Sequence, residues 1–188
     1  AADSFSSERI NPGSPELRMN ASPRADVFSV CSENRCGSGV VIGLAGESTD
    51  NTRDVIDQFN EWRNEKKIIA LNIEWNDNFA EARNIVLEKC TGDYFLWLDG
   101  DDVLINGEKM RGYIDQYPDV DAFYWGYDYA RDEEGNNTCF LIRERLVKRH
   151  PELPVDWKWV GEVHEVLSPQ FSSLNMPVQD ILVRHFKP

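Results

Sequence analysis

Three acids, Asp99, Asp101 and Asp102, follow directly on the apolar run from Tyr94 to Leu98. A buried strand that ends in that much negative charge calls for something positive at its tip. Gly100 has no side chain, so the atoms of a ligand can come close to the backbone between the first two acids. Carboxylate oxygens suit Mg²⁺ or Mn²⁺, which keep most of their coordination for water and substrate phosphate. A D-x-D at a strand end is therefore a device for holding a nucleotide diphosphate together with its metal. In isolation the same acids would read as a solvated acidic turn, and the apolar strand before them weighs against that.

His164 and Glu165 form a second candidate pair, within "WVGEVHEVL" at 159–167. The stretch "HEVLS" lacks the second histidine of an HExxH zinc protease, which excludes that chemistry. His164 reads equally well as a partly buried imidazole packed on Trp157 or Trp159. Arg83, taken alone, reads as a surface helix cation paired with Glu81 or Glu88. His185, close to Pro188, is by itself an ordinary exposed side chain, and His150 has no assignment.

The elements that must position these groups are legible in the pattern. Residues 1 to about 26 are rich in Ser, Pro, Asn and Arg without apolar period, and read as a mobile tail. "VFSVC" at 27–31 has the make-up of a short strand, and "ENRCGSG" of a loop. "VVIGL" from Val40 predicts a strand. Ser48, Thr49 and Asp50 then offer N-caps to a helix bearing Val55, Ile56, Phe59 and Trp62. "KIIALNI" at 67–73 predicts the next strand. Asn76 to Asn78 cap a second helix with Phe79, Ala82, Val86 and Cys90 on one side, ended by "TGD" at 91–93. Alternating strands and helices of these lengths predict an α/β fold with a mostly parallel sheet and crossover helices, whose ligands bind beyond the carboxyl ends of the strands.

After Asp102 the pattern changes. "GEKMRGYIDQYP" predicts a short helix, and "AFYWGYDYA", "TCFLIRERLVK" and "DILVRHF" predict strands, with "RDEEGNN" as a hairpin turn between the first two. The alternating Phe123, Trp125, Tyr127 and Tyr129 read first as a core-facing stripe and second as a platform for a sugar ring.

Composition bounds the function. The sequence of 188 residues is 41% apolar, enough for one domain with a real core. A net charge of −13 argues against sequence-independent binding to nucleic acid or to an anionic membrane surface. Cys31, Cys36, Cys90 and Cys139 have no metal-ligand spacing and read as reduced thiols. With no membrane-spanning run and no apolar leader, the expected location is cytoplasmic, or alternatively the inner face of a membrane.

"GESTDNT" (46–52), "EWNDNFAEARNIVLEKCTGDYFLWLDGDDVL" (74–104) and "WVGEVHEVL" (159–167), in this order, closely resemble glycosyltransferase family 2, enzymes of GT-A fold that use nucleotide sugars. The resemblance covers residues from about 40 to 188, with 40–105 as the nucleotide-binding part and 106–188 as the acceptor side. It implies metal-dependent, inverting transfer of a sugar from a nucleotide-diphosphate donor to a hydroxyl of a glycan, lipid or protein. By the same resemblance Asp101, Asp99 and His185 would hold Mn²⁺ or Mg²⁺. Asp99 would also face the ribose, and Arg83, Asn84, Asp102 and Trp159 would line the substrate site. Glu165, with His164 beside it, would be the general base.

The sequence departs from that pattern in three places. The family's opening strand-helix unit is missing or divergent within residues 1–39. "VFSVC" cannot replace it in parallel register, because only eight residues (32–39) precede Val40 and a parallel crossover takes about a dozen or more. Leu44 stands where the family has an acid that recognises base or ribose, with Glu47 inserted after it. The family's helix after the last histidine does not occur before Pro188. These departures imply either a fragment or divergent family member with an incomplete nucleotide site, or a chain whose residues 1–39 rebuild the missing wall. The rival function is a non-catalytic binding or interaction module on the same scaffold.

Overall fold

The computed structural model describes residues 27–34, 37–46, 51–62, 68–153 and 157–186. In chain order these form β1 (Val27–Asn34), β2 (Gly37–Ala45), α1 (Thr52–Trp62), β3 (Ile68–Ile73), α2 (Phe79–Leu87), β4 (Tyr94–Asp99) and β5 (Asp102–Ile105). A 3₁₀ turn (Gly107–Lys109), α3 (Met110–Gln116), β6 (Ala122–Arg131), β7 (Asn137–Lys148), β8 (Trp157–Val160), β9 (Val166–Pro169) and β10 (Asn175–His185) follow. The expected tail at 1–26 and the expected caps Ser48, Thr49 and Asp50 lie outside the described residues.

Eight strands join in the order β3-β2-β1-β4-β7-β6-β10-β5, and β8 pairs with β9 in a separate hairpin. The fold is α/β as expected, but the sheet is mixed rather than mostly parallel. Of its seven pairings only β2–β3 and β6–β10 are parallel. Chain length gives the reason. Only residues 35 and 36 separate β1 from β2, so the two can meet solely as an antiparallel hairpin. β1 nevertheless lies between β2 and β4 and runs against both. β2, β3 and β4 therefore still point the same way, and Ala45, Ile73 and Asp99 end at one edge of the sheet. The hydrogen bond from Gly46 N–H to Ile73 C=O (3.0 Å) ties two of those ends together.

Strand alternation sorts the core. Phe95 and Trp97 of β4 face one cluster with Val86, Val147, Trp157 and Trp159, beneath α2 and the β8–β9 hairpin. Tyr94 and Leu96 face the opposite cluster with Phe123, Trp125, Tyr127, Leu146 and Val183. Ile42, Leu44, Ile56 and Ile68 make a third cluster under α1. Leu44 is thus a core residue, 3% exposed, consistent with the apolar side chain found at that position. No helix among the described residues is long and apolar enough to cross a membrane.

Candidate functional site

β4 carries the carboxylates to the sheet edge, and β10 fixes what comes next. β5 pairs antiparallel with β10 in a register that sets Asp102 opposite His185, and Phe186 N–H bonds the Asp101 carbonyl at 2.7 Å. The His185 Nδ1 atom consequently lies 3.4 Å from one oxygen of Asp101 and 3.4 Å from one of Asp102. One ligand atom from each of Asp101, Asp102 and His185 falls within 4.8 Å of the others. Tyr129 stacks on the His185 ring (5.1 Å, 21°), holding its plane.

The three acids have different surroundings. Asp101 is 41% exposed and opens the group to solvent, whereas Asp102 is fully buried. Asp102 accepts hydrogen bonds from Arg145 Nη1 (3.1 Å), Asp99 N–H (3.2 Å) and the Tyr127 hydroxyl (2.9 Å). Burial and the neighbouring Asp99 push its pKa up, and those three donors pull against them. Asp99, expected with Asp101 and His185 as a metal ligand, turns the other way, toward Arg83 of α2, and Asp102 stands in the cluster instead.

Asn78 caps α2 by accepting from Glu81 N–H at 2.9 Å. The helical stripe that starts at Phe79 places Arg83 inward, above Val86. Arg83 does not pair with Glu81 or Glu88. Its Nη2 lies 2.6 Å from Asp99 and its Nε 2.6 Å from Glu165, with the Trp97 and Trp159 rings each 5.0 Å away. Burial works to lower the Arg83 pKa, yet Asp99 and Glu165 outweigh it and leave it above the ordinary arginine value. One guanidinium thus joins the strand-end acids to a carboxylate 82 residues away.

The β8–β9 turn presents Glu165. Gly161 (φ 98°) and His164 (φ 57°) adopt left-handed backbone conformations that let the chain reverse in a short span. Arg143 Nη2 bonds the Glu165 carbonyl at 3.2 Å, and Phe79 N–H bonds the Glu162 carbonyl at 3.0 Å, so β7 and α2 both hold the turn. His164 is exposed rather than partly buried.

Two further expected site residues turn inward. The Asn84 carboxamide is occupied by both backbone groups of Trp159 (2.9 and 3.0 Å), and Trp159 itself is 2% exposed beneath Arg83. Of the aromatic series, Phe123, Trp125 and Tyr127 are core, while Tyr129 reaches His185. The sequence reading missed Arg145 and Tyr127. The available signal was the charged triplet Arg143-Glu144-Arg145 set between the apolar runs 139–142 and 146–147 of β7.

Four carboxylates (Asp99, Asp101, Asp102 and Glu165) against two buried guanidiniums (Arg83 and Arg145) leave two negative charges, the complement of one divalent cation. Two carboxylates and an imidazole whose ligand atoms lie within 4.8 Å of one another suit Mn²⁺, and Mg²⁺ less because of the nitrogen.

A family model described as glycosyl transferase family 2 matches residues 41–166. No curated protein matches the chain.

Proposed function

Because the chain belongs to glycosyl transferase family 2, we propose that it transfers a sugar from a nucleotide-diphosphate donor to an acceptor hydroxyl, with inversion and with Mn²⁺ or Mg²⁺. The observation that carries this reading is the continuous link from Asp101, Asp102 and His185, through Asp99 and Arg83, to Glu165. In this reading Asp99 on the donor side and Glu165 on the acceptor side share one buried cation, Arg83.

Asp101, Asp102 and His185 would hold the metal. When bound, the cation supplies countercharge for the diphosphate that departs. Asp99, a quarter exposed, would meet the ribose side of the donor. Glu165 takes the proton of the acceptor hydroxyl as its oxygen attacks the anomeric carbon. The bond from that carbon to the phosphate oxygen breaks, and nucleoside diphosphate leaves. Arg83 aims Glu165 through the 2.6 Å ion pair, and Trp97 and Trp159 shield the ion pairs from water.

The competing reading, binding without turnover, draws support from the same contact, since a carboxylate 2.6 Å from a buried guanidinium is a restrained base. The two readings separate on one experiment. Release of nucleoside diphosphate from a panel of nucleotide sugars is measured with Mn²⁺, for the wild type and for Glu165→Gln. Transfer chemistry predicts turnover in the wild type, and unchanged donor affinity with turnover reduced about 10²–10⁴-fold in the variant. Full turnover in Glu165→Gln would remove the base assignment, and donor binding without wild-type turnover would establish the binding module.

A further inference from the structure

Arg145 is the most deeply buried charge in the described structure, at 0% exposure, and nothing in the proposed chemistry uses it. Its place in β7 is irregular. Phe123 of β6 pairs with Leu146 and Tyr124 with Glu144, so Arg145 is the extra residue of a β-bulge. A bulge re-aims the side chain it carries. Here the guanidinium enters a slot between two rings, 3.7 Å from the Trp97 centroid and 4.2 Å from that of Tyr127. Its Nη1 reaches the Trp97 carbonyl (3.2 Å) and the Asp102 carboxylate (3.1 Å), whereas Nε and Nη2 have no hydrogen-bond partner.

Resting on the metal reading above, we infer that Arg145 is a positioning residue for the cation site, a buried brace that fixes Asp102 and the turn carrying Asp99 and Asp101. Trp97 lies in β4 and Asp102 begins β5, so Nη1 bonds both sides of the four-residue span 98–101 that presents the two outer acids. Tyr127 completes the brace by donating its hydroxyl to the other Asp102 oxygen at 2.9 Å, beside His185. Buried donors left without acceptors are costly, so a guanidinium with two such nitrogens is a poor device for stability alone. It is a good device for orienting one carboxylate. A positive charge so close to the cation site would by itself weaken metal binding, but the surplus of carboxylates around it absorbs that charge. What remains is geometry, and lysine cannot supply it. An ammonium keeps the charge but lacks the flat guanidinium that fills the slot between the two rings and so fixes where Nη1 meets its two acceptors.

The test is Mn²⁺ affinity, read from the EPR signal of free Mn²⁺. The purified chain, Arg145→Lys and Tyr127→Phe are titrated, with circular dichroism and thermal melts on the same samples. The wild type is expected to bind one Mn²⁺, with affinity falling about 10–100-fold in folded Arg145→Lys and roughly tenfold in Tyr127→Phe. Affinity within roughly twofold of wild type in either folded variant overturns the brace while leaving the metal reading intact. If Arg145→Lys does not fold, Tyr127→Phe decides alone, because it removes a single oxygen from a ring that stays in place. A wild type that binds no Mn²⁺ removes the metal reading and the brace with it.

Discussion

Replacing Arg83 with methionine keeps an unbranched apolar stem and deletes the cation between Asp99 and Glu165. The guanidinium is 8% exposed, Glu165 12% and Asp99 26%, so the variant strands one well-buried carboxylate and one that water can reach. Breaking a buried pair by removing one partner costs about 3–5 kcal/mol. Partial hydration of Asp99 argues for the lower end, about 3 kcal/mol, which for a chain of this size lowers Tm by roughly 6–12 °C. Urea unfolding followed by tryptophan fluorescence measures it, since Trp97 and Trp159 flank the site, with an unchanged m value showing that the loss is one of stability. Adding Glu165→Gln to Arg83→Met removes one stranded charge, so the double variant should recover about 1–2 kcal/mol relative to additivity. A loss below about 1 kcal/mol for Arg83→Met, or additive single effects, would refute the claim that this guanidinium joins the two halves of the site.

Two further outcomes test the scaffold. Asp128 accepts from Arg131 (Nε, 2.9 Å), Arg184 (Nε, 3.0 Å) and Asn137 (Nδ2, 2.5 Å), and the Arg131 hydrogen bond leads in holding its pKa below the ordinary aspartate value. The stability this supplies is complete above the ordinary aspartate range and disappears as pH falls through the depressed folded value, so Asp128→Asn should flatten the acid limb of Tm against pH. An unchanged acid limb would count against it. A Cβ at Gly126 would lie 2.5 Å from Phe140 Cζ and 3.0 Å from Leu182 Cδ1. Because Phe140 is 55% exposed and its ring can swing outward, Gly126→Ala should cost only about 1 kcal/mol by urea unfolding.

The elements from β3 to β4 were readable because each expressed its own period. The apolar run into Asp99 became β4, and the stripe from Phe79 became α2 with Asn78 as its cap. "RDEEGNN" turned the chain between β6 and β7, with Gly135 at φ 85° and Asp132 accepting from Asn136 N–H at 2.7 Å. The crossover argument correctly forbade a parallel β1. It could not reveal that an antiparallel hairpin would fill the central slot, since strand direction depends on partners distant in sequence. Arg83 was misjudged when taken alone because its partners, Asp99 and Glu165, lie 16 and 82 positions away. Arg145 escaped because a bulge shifts the alternation by one residue, and no local pattern announces where that happens.

Calorimetric titration of nucleoside diphosphates into the chain, with and without Mn²⁺, addresses the carboxylate turn itself. The account predicts saturable binding of at least one of them with Mn²⁺, abolished by chelation and by Asp101→Ala. Absence of binding across the panel, or binding indifferent to both Mn²⁺ and Asp101→Ala, would contradict it.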